Sequence, residues 1–363
     1  MRAMVGAHPA SVPGLAPRSP VPLTTHLATA VVAAVGGAIF ALLHIPLAWM
    51  IGAMVGTTAL GWFRPTAVHN RGRPMAMMVL GTAFGMSFTG PVLGAVTGAA
   101  PWLAVAGVVT LATGLLVARM FTRLAHVDAR TGFFCGVPGG VIVMVVLAQE
   151  AGAQVAPVTL SQTMRVVTVV LTIPPILGLV APHGEYGAYS AFANPVFWPG
   201  LLGLLAVAPL AAYPLMRLGF GNPWMFGPCL LNIAIAASGY GFTGMPSWLV
   251  SLAQIVMGAT LGARLTKGFL MSSRGLLAAS LLSSVVLVVV LSAMALLLAW
   301  VAGLPWPAVV LGMAPGGMPE MSLTAKALDL AVPLVLGFHL VRSLLSNVVV
   351  KPLYKLGVRW NLL

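Results

Sequence analysis

Acidic side chains are nearly missing from this chain: its 363 residues include five Asp and Glu in all. Charged residues of both signs make up only 6%, against roughly a quarter in an ordinary soluble domain. So few acids, mostly far apart, cannot form the clustered histidine and carboxylate set that holds catalytic copper or iron. The seven histidines are scattered, and His126 with Asp128, the one close His/carboxylate pair, sits in a basic stretch. Cysteine is scarcer still. Cys135 and Cys229 both fall inside apolar segments, so they read as small core residues and exclude a disulfide framework or a cysteine metal site. A nucleotide-binding Gly-x-x-x-x-Gly-Lys-Ser/Thr loop is also missing, which argues against ATP-driven pumping by this chain alone. No enzymatic activity, cofactor or metal is expected.

What is present is apolar. Hydrophobic residues make up 60% of the chain, and the run Leu276 to Val301 carries no ionisable side chain. As a helix that run would be about 39 Å long, more than the roughly 30 Å hydrocarbon core of a bilayer. The net charge of +13 comes in short clusters between apolar runs, the marking of cytoplasmic loops rather than of a nucleic-acid-binding face. Residues 1–22, rich in Pro and Ala with Arg2 and Arg18, lack the apolar core of a signal peptide and read as a flexible cytoplasmic tail.

The chain repeats itself. "GVPGGVIVMVVLAQ" at 136–149 aligns with "MAPGGMPEMSLTAK" at 313–326, Pro138 falling on Pro315 at an offset of 177. The same offset pairs Gly81 with Gly258, Gly85 with Gly262, Met144 with Met321 and Arg165 with Arg342, while "WMIG" at 49–52 pairs with "WMFG" at 224–227 at 175. Residues 23–181 form membrane repeat 1, 182–195 a linker, and 196–363 membrane repeat 2. Each repeat holds six apolar stretches: 23–43, 47–62, 76–95, 101–118, 131–150 and 156–181, then 196–216, 223–241, 247–263, 275–303, 307–325 and 331–350.

The basic clusters test the orientation of the repeats. Arg119, Arg123 and Arg130 mark one loop of repeat 1 as cytoplasmic, yet the equivalent residues 296–307 have no Lys or Arg. Equivalent loops thus carry opposite sidedness, which requires an odd number of crossings per repeat. One stretch in each must fail to cross, and the Pro-Gly-Gly stretch is the candidate because both residue types break helices. The expected fold is an all-α polytopic membrane protein of two inverted repeats, each with about five transmembrane helices plus one Pro-Gly-Gly broken or re-entrant segment. Its expected location is a bacterial cytoplasmic (inner) membrane, multi-pass, with both termini cytoplasmic.

Inverted repeats with matching interruptions are the pattern of secondary transporters. Helices that begin after Pro138-Gly139-Gly140 and Pro315-Gly316-Gly317 would present unpaired N–H groups and positive dipole ends to a cavity, which favours an anion. Arg165 and Arg342 follow Gln162 and His339 by three residues, so each pair shares a helix face. An arginine at mid-membrane is a site by default, although snorkelling, or bonds to carbonyls freed by the break, would also explain it. Glu320 stands opposite Val143 in the repeat alignment, so symmetry is broken where one substrate or coupling ion would bind; an acid in a first helical turn is also favoured by the dipole alone. The candidate binding residues are therefore Pro138, Gly139, Gly140, Gln162, Arg165, Pro315, Gly316, Gly317, Glu320, His339 and Arg342. Trp49 and Trp224 read as interfacial anchors or as packing against the site, and the paired Gly-x-x-x-Gly spacings as helix packing.

With those residues in view, the sequence resembles the AbrB-type duplicated membrane family, whose half-repeat carries Ser/Ala-Pro-Gly-Gly, then Met-x-x-x-Ala-Gln-Asp/Glu, then Gln-x-x-Arg. Val137 to Gly140, Met144 to Glu150 and Gln162 to Arg165 match the first copy. Ala314 to Gly317 and Arg342 match the second, where His339 replaces the Gln and Lys326-Ala327 stands in place of Gln149-Glu150. The resemblance implies either of two labels, regulator of gene expression or ammonia monooxygenase, neither of which names a mechanism. The residues argue against the oxygenase. The preferred expectation is a secondary transporter of a small anionic metabolite in the bilayer; the alternative is an integral membrane sensor or regulator acting indirectly on gene expression. The expected partners are a small-molecule substrate and lipid, with no nucleic acid, and homo-oligomerisation stays open.

Overall fold

A computed structural model describes residues 21–181, 189, 195–239, 243–271 and 273–359. The tail expected at 1–22 and the linker at 182–195 fall mostly outside the described residues. Among the described residues every regular element is a helix. In order these are α1 (Leu23–Leu42), α2 (Ala48–Phe63), α3 (Gly72–Gly85), α4 (Gly90–Gly98), α5 (Ala100–Ala125), α6 (Ala129–Gly136), α7 (Val141–Glu150) and α8 (Val155–Val180). They continue with α9 (Trp198–Arg217), α10 (Pro223–Ala237), α11 (Ser247–Gly262), α12 (Lys267–Met271), α13 (Arg274–Ala302), α14 (Trp306–Met313), α15 (Met318–Ala327) and α16 (Val332–Arg359). Six of them, α1, α5, α8, α9, α13 and α16, are long and apolar enough to cross a membrane. The architecture is that of a polytopic membrane protein.

Nine of the twelve apolar stretches map onto one helix each; 131–150 and 307–325 are each split in two at Pro-Gly-Gly, and so, without that motif, is 76–95. There α3 and α4 meet at a bend of 93°. The cause is local: Thr89 takes up an extended N-cap and accepts from Val92 N–H, and Pro91 follows in the first turn, so a continuous helix through Phe88 to Pro91 would lose its ladder there.

Two features fit this bundle to lipid. Large apolar side chains point outward in helical register, as Leu23, Leu27, Val31 and Val35 do on α1, a surface that water would not tolerate over such an area. Several interior hydroxyls bond within their own helices: Thr110 Oγ1 donates to Ala106 O, Thr113 to Val109 O and Ser284 to Ser280 O. That pattern suits a medium with no water to accept a hydrogen bond.

Packing recurs at the sequence offset. On α3, a Cβ at Gly81 or Gly85 would collide with the carbonyls of Met225 and Cys229 on α10. On α11, one at Gly258 or Gly262 would collide with Met50 O and Met54 O on α2. Both pairs of helices approach until backbone meets backbone, which only glycine permits. The Gly-x-x-x-Gly spacings are thus packing elements, and they tie each half to the other.

Candidate functional site

The Pro-Gly-Gly segments break two helices into hairpins. In the first, α6 is capped by Asp128, whose carboxylate accepts from Thr131 N–H at 3.0 Å and from Thr131 Oγ1 at 2.6 Å. Thr131 Oγ1 in turn accepts from Gln154 N–H at 2.9 Å. The start of α6 and the residue before α8 therefore touch, so α7 must run back antiparallel to α6, and α8 then retraces the direction of α6. Burial opposes ionisation of Asp128, but the bonds from Thr131 outweigh it and hold the carboxyl below its ordinary range.

Side chains of α8 fasten the break. Ser161 Oγ donates to Cys135 O at 3.1 Å, Gln162 Nε2 to Phe134 O at 2.7 Å and Val137 O at 3.1 Å, and Arg165 Nη2 to Gly139 O at 2.9 Å. Phe134 O and Cys135 O are left open when α6 stops at Gly136, and Val137 O and Gly139 O belong to the turn that follows. The second half repeats the device with other chemistry. His339 Nε2 donates to Leu311 O at 3.1 Å, which leaves Nδ1 to accept from Arg342 Nη2 at 2.8 Å. Arg342 also donates to Ala314 O at 2.5 Å and Gly316 O at 2.7 Å. Leu311 and Phe134 are repeat equivalents, so His339 does for α14 what Gln162 does for α6.

The two breaks meet. Ser346 Oγ on α16 donates to Pro138 O at 3.4 Å, and Val169, its equivalent on α8, packs against Gly316. Here α8 and α16 run in opposite senses: Lys351 of α16 pairs with Glu150, just before α8, at 3.0 Å, while Gly178 near the end of α8 lies by Leu328, just before α16.

Beside the breaks lies a cavity of about 680 Å³ lined by Gly139, Gly140, Arg165, Gly316, Gly317 and Glu320 together with Arg73, Arg264, Asn222 and Trp224. Its mouth is marked by exposed Asn70, Arg217 and Glu150. A smaller space of about 50 Å³ adds Pro138 and Arg342. Of the eleven sequence candidates, Pro315, Gln162 and His339 line neither space. Gln162 and His339 are fully buried and bonded to backbone carbonyls. Trp224 faces the cavity, whereas Trp49 packs on Gly37 of α1.

Several buried polar atoms have no hydrogen-bond partner: Arg165 Nε and Nη1, Glu320 Oε2, Gln162 Oε1 and Thr163 Oγ1. Arg165 is 5% exposed and Glu320 8%. Arg73 and Arg264 stand in sequence among ordinary loop cations and were not among the candidate binding residues. Nothing in their spacing points to a shared cavity, because the close packing of α3 and α11 on α10 and α2 brings them there.

The family described as "Transition state regulatory protein AbrB" matches residues 49–357. The chain belongs to that family. Similar proteins include the "Uncharacterized protein YhjN" of Bacillus subtilis (strain 168), 28% identical over 351 residues, covering 90% of this chain and 91% of the relative. The "Putative regulator AbrB" of Escherichia coli (strain K12) is 28% identical over 312 residues, covering 84% of this chain and 88% of the relative. The family match spans both Pro-Gly-Gly segments, both arginines and the cavity between them.

Proposed function

We propose that this AbrB-family protein is a secondary transporter of a small anionic metabolite. The observation that carries the reading is the meeting of the two breaks at a cavity of about 680 Å³ lined by Arg165, a buried arginine with two nitrogens that find no acceptor in the protein. Broken helices whose ends meet inside a bundle are how transporters build sites away from water, and an arginine there needs an anion to offset its desolvation.

In this reading the repeats are inverted, each with five crossings and one re-entrant hairpin: α1, α2, α3, α5 and α8 cross, and α6 with α7 dips in and returns. The opposite senses of α8 and α16 support it. So does the placement of Arg73, Arg217, Arg264 and the Glu150–Lys351 pair around one mouth, which the positive-inside rule makes cytoplasmic. The cavity then opens inward.

The second reading, a membrane sensor that acts on gene expression through a ligand in the same cavity, is favoured by the name of the Escherichia coli relative. Flux decides between them. Purified protein in proteoliposomes is expected to move at least one labelled carboxylate or acidic amino acid, and Arg165→Ala to lower that flux at least about tenfold, equivalent to 1.4 kcal/mol of lost interaction. Undiminished flux in a folded Arg165→Ala protein would remove Arg165 from the site. Ligand binding without flux would favour the sensor.

A further inference from the structure

The two breaks are twins in backbone but differ in charge: each has its arginine, and the first turn of the second alone holds an acid. In the second, Glu320 stands in the first turn of α15 and folds its carboxylate back over Gly317, the residue that caps the helix. The positive end of α15 therefore already faces a carboxyl group, supplied by the chain itself. Arg342 beside it is also satisfied, donating to two carbonyls and to His339.

The first break has neither. At the position of Glu320 stands Val143, whose Cγ2 would lie 3.7 Å from a Cβ on Gly140, the equivalent of Gly317. Neither helix has a side-chain cap, but the first turn of α7 contains no acid where that of α15 holds Glu320. Arg165, the equivalent of Arg342, makes one hydrogen bond in place of three and leaves Nε and Nη1 without partners although it is 5% exposed. Both cavities reach Gly140, Val143 and Arg165.

We propose that the open end of α7 and Arg165 form a single site for the carboxylate group of the ligand, and that Glu320 occupies the equivalent site on α15 from within. The ligand carboxylate sits at Gly140 and Val143 as the Glu320 carboxylate sits at Gly317, so one substrate headgroup binds per chain. Arg342 holds the second break and does not touch the ligand. The inference rests on the anion-cavity reading above and adds to it which break is used and by what chemical group.

Val143→Glu tests this directly, because it gives α7 the internal carboxylate that α15 already has. Full-length protein in detergent is heated with sodium formate, acetate or succinate at about 50 mM, against sodium chloride of equal ionic strength, since a ligand that binds only the folded state raises the midpoint. The wild type is expected to be stabilised by at least one of the three, and Val143→Glu and Arg165→Gln to lose most of that shift. Val143→Gln, of similar size without the charge, is expected to keep more of it than Val143→Glu. Arg342→Gln is expected to begin from a lower midpoint and still respond.

If none of the three anions stabilises the wild type, or if Val143→Glu responds as fully as the wild type, the site is not there. Should Val143→Glu fail to fold, Arg165→Gln decides, and an undiminished shift in it overturns the assignment equally. Failure of the transport reading looks different. The expected anion pattern without flux in proteoliposomes leaves the site standing and removes transport, whereas flux that Val143→Glu does not alter leaves transport and removes the site.

Discussion

At the scale of single residues, Gln162, His339 and Arg342 show how polar side chains inside an apolar bundle divide between structure and site. Gln162 and His339 put their donors on helix-end carbonyls that nothing else reaches. Leaving such a carbonyl bare costs about 1–3 kcal/mol. Gln162→Leu, close in size, is therefore expected to lower stability by about 2 kcal/mol, and Arg342→Ala by more, as seen in thermal unfolding in detergent; an unchanged midpoint in both would show that water or a shift of the break replaces these bonds. In sequence both pairs stand out as candidate binding residues because arginine and its polar neighbour three residues earlier share a helix face. The sequence could not tell a substrate contact from a backbone fastener, since both ask for the same donors and only the position of the partner carbonyls separates them. Arg73 and Arg264 were illegible for the converse reason: in sequence they are ordinary loop cations, and tertiary packing alone brings them to the cavity that holds Glu320.

At the scale of elements, the hairpins depend on small polar clasps and on glycine contacts. The Asp128–Thr131–Gln154 chain closes the first hairpin at its base. Because Asp128 ionises below its ordinary range, its contribution is complete above the unfolded carboxylate pKa and fades as pH falls through the lower folded value. Asp128→Ala is expected to lose about 1 kcal/mol of cap at neutral pH, with the difference from wild type shrinking in strongly acidic buffer. Hydrogen exchange of Thr131 and Gln154 amides would report it, and protection unchanged by the substitution would show that the clasp is ornamental. The glycine contacts make a paired prediction: Gly81→Val and Gly258→Val should each destabilise by about 1–3 kcal/mol through overpacking, and by similar amounts, because the one meets Met225 and the other meets Met50, its equivalent. Both Pro-Gly-Gly breaks were readable because proline and glycine announce them. The 93° bend between α3 and α4 carried a fainter signal, a threonine two residues before a proline inside an otherwise apolar run.

At the scale of the whole molecule, the chain is an AbrB-family bundle whose halves interlock through equivalent surfaces, α3 on α10 and α11 on α2. Such interlocking means that either half made alone would expose the glycine-lined faces it packs on the other. A repeat expressed alone is expected to be degraded or aggregated, with recovery only when both halves are made together; a stable, monomeric single half in detergent would refute this. The proposed inversion of the halves rests on the distribution of Arg and Lys, whereas the route by which charge reaches the interior was not legible in sequence, since no single loop holds the cavity. The most direct test of the whole scheme is sidedness. Single cysteines are placed at Arg123, near the end of α5, and at Val301, near the end of α13, with Cys135 and Cys229 replaced by Ala, and a membrane-impermeant maleimide is applied to intact cells and to inverted vesicles. Position 301 labelling from outside the cell and position 123 only in inverted vesicles is the expected result. Labelling of both from the same side would contradict the inverted arrangement, and the pocket at the meeting of the two breaks would fall with it.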